Sequence, residues 1–198
     1  VIELRPVDRV EGTAVPLRGN NVDTDRIIPA RFLKALTFDG LGAHVFQDDR
    51  TSMPGHPFAN AAYAGASILL VNENFGSGSS REHAPQALRR WGIQACVGQS
   101  FSEIFLGNAT TIGLPCATAP ASDIEALMAA VEDEPGTPMV LSVRARSITA
   151  AGRTIPLSLP AVVRDSLLTG QWDATGLLLS EFEDVRRVAS RLPYVKGF

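Results

Sequence analysis

The chain has 198 residues, 45% of them hydrophobic and 20% charged, and a net charge of −3. That balance belongs to an ordinary globular chain and carries no basic footprint for nucleic acid. No apolar run approaches the roughly 20 residues of a membrane span, and the opening VIELRPVDRVEG lacks the basic-then-apolar layout of a signal peptide, so a soluble, cytoplasmic protein is expected.

The first strand signal covers Val10 to Leu17, followed by the polar turn RGNNVDTD and a helical candidate, IPARFLKAL, with Pro29 suited to a first turn. Residues 37–63 carry repeated glycine and proline breaks and no sustained period. So long a connection inside a compact domain predicts a mobile flap. Next come an apolar strand at 66–71, a Gly/Ser junction, a helix ending near Trp91-Gly92 and a strand at 94–98. SFSEIFLGNATTIG has helical spacing, 114–118 reads as a strand, and SDIEALMAAVEDE as a helix with Ser122 and Glu125 at capping-box spacing. The alternation predicts a parallel sheet with helices on its face.

After Pro138 the period changes to two, centred on Ala150-Ala151-Gly152, which predicts an antiparallel hairpin. The tail LSEFEDVRRVASRL places Phe182, Val185, Val188, Ala189 and Leu192 on one stripe, expected to pack on the body. The fold class expected is therefore α/β with added antiparallel strands: one domain over 1–198 with a helical tail over 180–198. Only two cysteines occur, Cys96 and Cys116, each in a short apolar run that suits a small buried side chain. With His44, His56 and His83 scattered, no zinc or iron-sulfur spacing is present, and no metal is expected on this chain.

The segment with chemical content is NENFGSGSSREHAPQAL, residues 72–88. Where a strand passes through glycines into a helix, unpaired backbone N–H groups and the helix dipole converge, and anions bind there. Neither the phosphate loop nor the dinucleotide pattern fits: Gly76 and Gly78 are followed by Arg81 and by no lysine, and Arg81 stands where the dinucleotide pattern requires a third glycine. The hydrolase elbow fails as well, since no glycine closes the motif. Arg81 offers a planar fork of donors matched to a carboxylate. A second reading stays open at this level: Ser79 and Glu82 are also spaced as a capping box, although Pro85 then falls in the second turn, where its ring presses on the carbonyl of Arg81.

Could Ser79 act as a base? Bringing the pKa of a hydroxyl as weakly acidic as that of water down to about 7 takes roughly 12 kcal/mol at about 1.36 kcal/mol per unit. A helix terminus contributes at most ~2 kcal/mol. The loop alone cannot run proton chemistry, and these residues predict an incomplete site.

Three stretches, NNVDTDRIIPARFLKA, GASILLVNENFGSGSSREHAPQAL and SFSEIFLGNATTIGLP, resemble in order and spacing the small subunits of 3-isopropylmalate dehydratase in the aconitase superfamily. The resemblance implies a swivelling β/β/α domain, with a mixed sheet or barrel core, that covers a large subunit carrying a 4Fe-4S cluster on three cysteines. It implies Ser79 as the alkoxide base and Asp25 as an active-site acid. Gly78, Ser80 and Arg81 are then expected around the substrate carboxylate. The ARFLKA loop, with Arg31, Leu33 and Lys34, matches the loop that distinguishes substrates. Asn108 and His83 also belong to the family pattern, with buried hydrogen-bonding roles as the alternative, and Ser77 stands where many members carry Cys. Without the resemblance, Asp23 and Asp25 read as turn or cap residues. A homoaconitase or citraconate-type dehydratase subunit and a non-catalytic anion-binding module remain alternatives.

Overall fold

In the computed structural model, which describes residues 5–34 and 37–195, two four-stranded sheets divide the chain between them. The parallel sheet has the order β2 (Ala14–Leu17), β3 (Ile68–Val71), β4 (Ala95–Gly98), β5 (Cys116–Thr118). Its first three strands are buried at every residue, as expected of a parallel sheet covered on both faces. The antiparallel sheet has the order β1 (Arg9–Gly12), β6 (Met139–Ser142), β7 (Ser147–Ala150), β8 (Arg153–Pro156). The period-two hairpin forms where expected, with Ala151 and Gly152 both at positive φ (47° and 73°) in its turn.

The single strand expected over Val10 to Leu17 is instead two strands in different sheets. Gly12 adopts φ +148°, and the Ser67 hydroxyl lies 2.2 Å from where a Cβ would stand. That hydroxyl donates to the Glu11 carbonyl, and the Thr13 carbonyl accepts from Ser67 and Ile68 N–H, so the chain leaves one sheet and enters the other at this point. Apolar alternation cannot report such a switch, because both halves remain in a strand conformation.

Four further helices follow, α3 (His83–Trp91), α4 (Glu103–Thr110), α5 (Ala121–Asp133) and α6 (Ala161–Thr169), with α5 packed on β2 and β3 and α4 on β5. Helix α3 buries Ala84, Pro85, Ala87 and Leu88, and α5 buries Ile124, Leu127, Met128 and Val131. The capping box expected at Ser122 and Glu125 does not form. Helix α5 begins at Ala121 after Pro120, and Glu125 is drawn instead to Arg18 and the Asn72 amide. Long-range charge pairing and a hydrogen bond replace a local cap.

Before β3, the chain forms α1 (Thr24–Ile27), a 3-10 turn over Ala30–Lys34 in place of the longer helix expected, and α2 (Gln47–Ser52). Ala35 and Leu36, at the end of the predicted helix, lie outside the described residues. Residues 37–63 also contain 3-10 turns at Leu41–His44, Pro57–Ala59 and Ala61–Tyr63. Phe46, Phe58 and Tyr63 from this segment are buried, with Phe58 4.7 Å from Phe46 and 4.6 Å from Trp91 between ring centroids. At the other end lie α7 (Ala174–Ser180) and α8 (Phe182–Ala189). Contrary to expectation, α8 buries none of its residues, and Phe182, Val185 and Val188 stay exposed. Helical periodicity fixes which side chains share a stripe, but not whether a surface meets it.

Candidate active site

The junction sits at the carboxyl ends of β2 and β3, where open parallel sheets bind ligands. Residues 73–77 are held between two neighbouring segments. On one side Asn21 N–H donates to the Glu73 carbonyl, Gly76 N–H to the Val22 carbonyl (2.7 Å) and Thr24 N–H to the Ser77 carbonyl (2.9 Å). On the other, Phe75 N–H donates to Ser100, Ser102 N–H returns to Phe75, and the Ser102 hydroxyl donates to the Gly76 carbonyl at 2.6 Å. Gly76 is at φ +76°, and a Cβ there would lie 2.3 Å from Cγ of Phe105, a buried ring of α4. Close ring packing requires glycine at this position.

Beyond Ser77 the loop turns outward. Among the described residues, the backbone N–H groups of residues 78–82 have no protein acceptor. Gly78 (φ +93°), Ser79 and Ser80 are exposed, and neither serine hydroxyl makes a hydrogen bond to a described residue. The loop is fixed from behind: the buried Thr24 hydroxyl donates to the Ser79 carbonyl at 3.2 Å. Arg81, largely buried along its side chain, donates to the carboxylate of Asp25, which is about half exposed.

Helix α3 starts at His83 after Glu82, with no side-chain cap. The Ser79/Glu82 capping box is absent, and Glu82 accepts from the Gln86 side chain instead. Pro85 explains the late start, because its ring fits only the first turn. Ser79 is left free of a capping duty. Asp23, by contrast, is a cap, accepting from Arg26 N–H at 2.8 Å, while Asp25 turns to Arg81.

The turn over Ala30–Lys34 presents Arg31 and Lys34 exposed and Leu33 half-buried; Ala35 of the ARFLKA loop is outside the described residues. Arg31 grips Asp48 two bonds to two, Nη1 to Oδ2 at 2.9 Å and Nη2 to Oδ1 at 2.5 Å. That pairing raises the Arg31 pKa and holds the Asp48 carboxyl below the usual carboxylate range. Beside it Phe32 stacks on His44 with centroids 4.0 Å apart. Among the described residues no hydrogen bond joins 30–34 to 78–81. The structure therefore brings Asp25, Gly78, Ser79, Ser80 and Arg81 into one cluster, and Arg31, Leu33 and Lys34 into a second. His83 and Asn108 are half-buried and, among the described residues, their side chains make no hydrogen bond. The His83 ring instead meets Phe38 edge-on at 5.1 Å.

Sequence reasoning missed Thr24 as the strut behind Ser79, and it missed Asp48 as the partner of Arg31. A threonine between two acids carries no spacing signal, and Asp48 lies in the segment without a period. The two cysteines face each other across β4 and β5, both buried, and burial beside Cys96 raises the Cys116 thiol pKa. A cluster needing three thiolates does not fit these residues, and among the described residues no His/Cys/Asp/Glu group suits a metal ion. No described helix is long and apolar enough to cross a membrane.

The family model described as the aconitase C-terminal domain matches residues 4–119. A relative from Synechocystis, the 3-isopropylmalate dehydratase small subunit, is 48% identical over 96% of this chain and 95% of its own length. The chain belongs to the 3-isopropylmalate dehydratase small-subunit family. Another small subunit of this family, from Thermus thermophilus, is 47% identical over 93% of this chain and 94% of its own. The crystal structure of 3-isopropylmalate dehydratase from Methanocaldococcus jannaschii superposes with a TM-score of 0.65 at 26% identity, covering 92% of this chain and 98% of that one. The aconitase-type match spans the parallel sheet and both clusters of site residues, while the small-subunit relatives extend over the hairpin sheet as well.

Proposed function

We propose that this chain forms half of a hydro-lyase site that isomerises 2-isopropylmalate to 3-isopropylmalate, acting together with a large subunit that supplies an iron-sulfur cluster. The observation carrying this reading is the run of backbone N–H groups over residues 78–82 that, among the described residues, have no protein acceptor, set around a Ser79 hydroxyl that bonds to no described residue, beside Arg81 and Asp25. Donors of this kind recognise a carboxylate. In the proposed roles, Gly78, Ser80 and Arg81 hold one substrate carboxylate. Ser79 Oγ takes the proton from the carbon next to the one bearing the hydroxyl, and Asp25 sets the orientation and charge of the Arg81 fork while serving as the neighbouring acid. Arg31, Leu33 and Lys34 read the remainder of the substrate, its second carboxylate and its alkyl group.

The departing hydroxyl needs an electrophilic acceptor that this chain does not provide, and a Ser79 alkoxide needs more stabilisation than the loop gives. Both needs point to a partner. The names of the relatives support isopropylmalate over homoaconitate or citraconate as substrate. The test is anaerobic reconstitution with the large subunit. The pair should turn over isopropylmalate in preference to the other two acids, and Ser79→Ala should lower kcat at least about a hundredfold while assembly is unchanged. Turnover by this chain alone, or full activity of the Ser79→Ala pair, defeats the reading.

A further inference from the structure

Helix α2 presents two consecutive carboxylates to the segment that carries α1 and the Arg31 turn, and they differ in environment. Asp49 accepts from Arg26 Nε at 2.9 Å, with only 12% of its side chain exposed. Asp48, paired with Arg31, is 60% exposed and its arginine 50% exposed. Phe46, just before the helix, is fully buried, and its N–H donates to the Ile27 carbonyl. Phe46 and Asp49 thus fix α2 in place, and releasing Asp48 requires only a side-chain rotation.

We infer that Asp48 is an internal stand-in for a substrate carboxylate: it occupies the Arg31 fork and yields it when substrate binds. The inference rests on the reading of Arg31 given above. A bidentate guanidinium pair is the same contact that a free carboxylate would make, with the same two acceptor oxygens. An exposed ion pair is weak and readily exchanged, so Asp48 competes with substrate without blocking it. It also keeps the Arg31 fork aimed and its charge compensated while no ligand is present. Asp48 is on this account a residue that sets affinity through Arg31, without touching the reacting atoms.

The test uses the reconstituted pair and 3-isopropylmalate. Asp48→Asn removes the competing charge, so KM should fall about two- to fivefold with kcat unchanged, the range expected for an exposed pair. The gain should shrink as salt is raised, because screening weakens the competitor as well. In an Arg31→Gln background, Asp48→Asn should leave KM where the Arg31 substitution put it. Asp48→Glu, which keeps the charge, should not reproduce the fall. A turnover-competent pair in which Asp48→Asn raises KM or leaves it unchanged overturns the exchange alone. A wild-type pair with no turnover on isopropylmalate defeats the underlying functional reading and the exchange with it.

Discussion

Replacing Gly76 by alanine tests the packing that aims the site loop. The added methyl would meet the Phe105 side chain with contacts of 2.3 to 2.6 Å, and the residue would have to keep φ +76°. Holding a non-glycine residue in the left-handed region costs about 1–2 kcal/mol. Forcing a methyl into a packed core costs about 1–3 kcal/mol more. The sum is roughly 2–5 kcal/mol, and in a chain of this size each kcal/mol moves Tm by about 2–4 °C, so a fall of about 4–20 °C is expected. Gly107, in α4 with open space where its Cβ would be, provides the control. There the same substitution should stabilise by about 0.5–1 kcal/mol, because helical alanine loses less backbone entropy. Urea unfolding of both variants measures the contrast. A Gly76→Ala protein within about 0.5 kcal/mol of wild type would refute the claim that Phe105 and the loop backbone share that space.

Thr24→Val removes a buried hydroxyl that donates to the Ser79 carbonyl while keeping its shape; unfolding should show a loss of about 1 kcal/mol, and kcat of the reconstituted pair should fall because Ser79 loses its strut. Unchanged stability and kcat would remove Thr24 from the site. His56 is buried, and burial lowers its pKa, with Arg26 and Arg50 adding to the shift and Asp49 opposing it. Its Nδ1 accepts from Phe58 N–H, which fits the neutral ring. A depressed folded pKa means that the unfolded chain takes up the proton first, so stability is complete above the unfolded value of about 6.5 and is lost as pH falls below it. The urea midpoint should decline from pH 7 toward pH 5, and His56→Asn should flatten that decline; an equal slope in the variant would assign it to other groups.

Much of the site was legible in the letters. GSGSSREHAP follows an apolar run and precedes helical spacing, and Pro85 already disfavoured a helix capped by Ser79 without excluding it; in the structure the helix starts at His83, which leaves Ser79 outside it and, among the described residues, the N–H groups of 78–82 without acceptors. The effect of Pro85 is steric, comes from a single residue type and needs no tertiary context. The strand-helix alternation through β3, β4 and β5 and the turn at Ala151-Gly152 were legible for the same reason: period and turn chemistry are local. What local rules could not reach was the partner of each charge. Glu125 was available to a cap and went to Arg18 and Asn72; Asp25 was available to a turn and went to Arg81, 56 residues away.

The amino-acid order by itself determined the strand-helix alternation through β5, the turn at Ala151-Gly152 and the carboxylate-matching residue types, because each follows from the sterics and bonding of a few adjacent residues. Only the tertiary structure decided that Val10 to Leu17 divides between two sheets, that Asp48 fills the Arg31 fork and that the α8 stripe stays uncovered. Those outcomes depend on which distant groups the folded chain brings within hydrogen-bonding or van der Waals reach, and no local period encodes that.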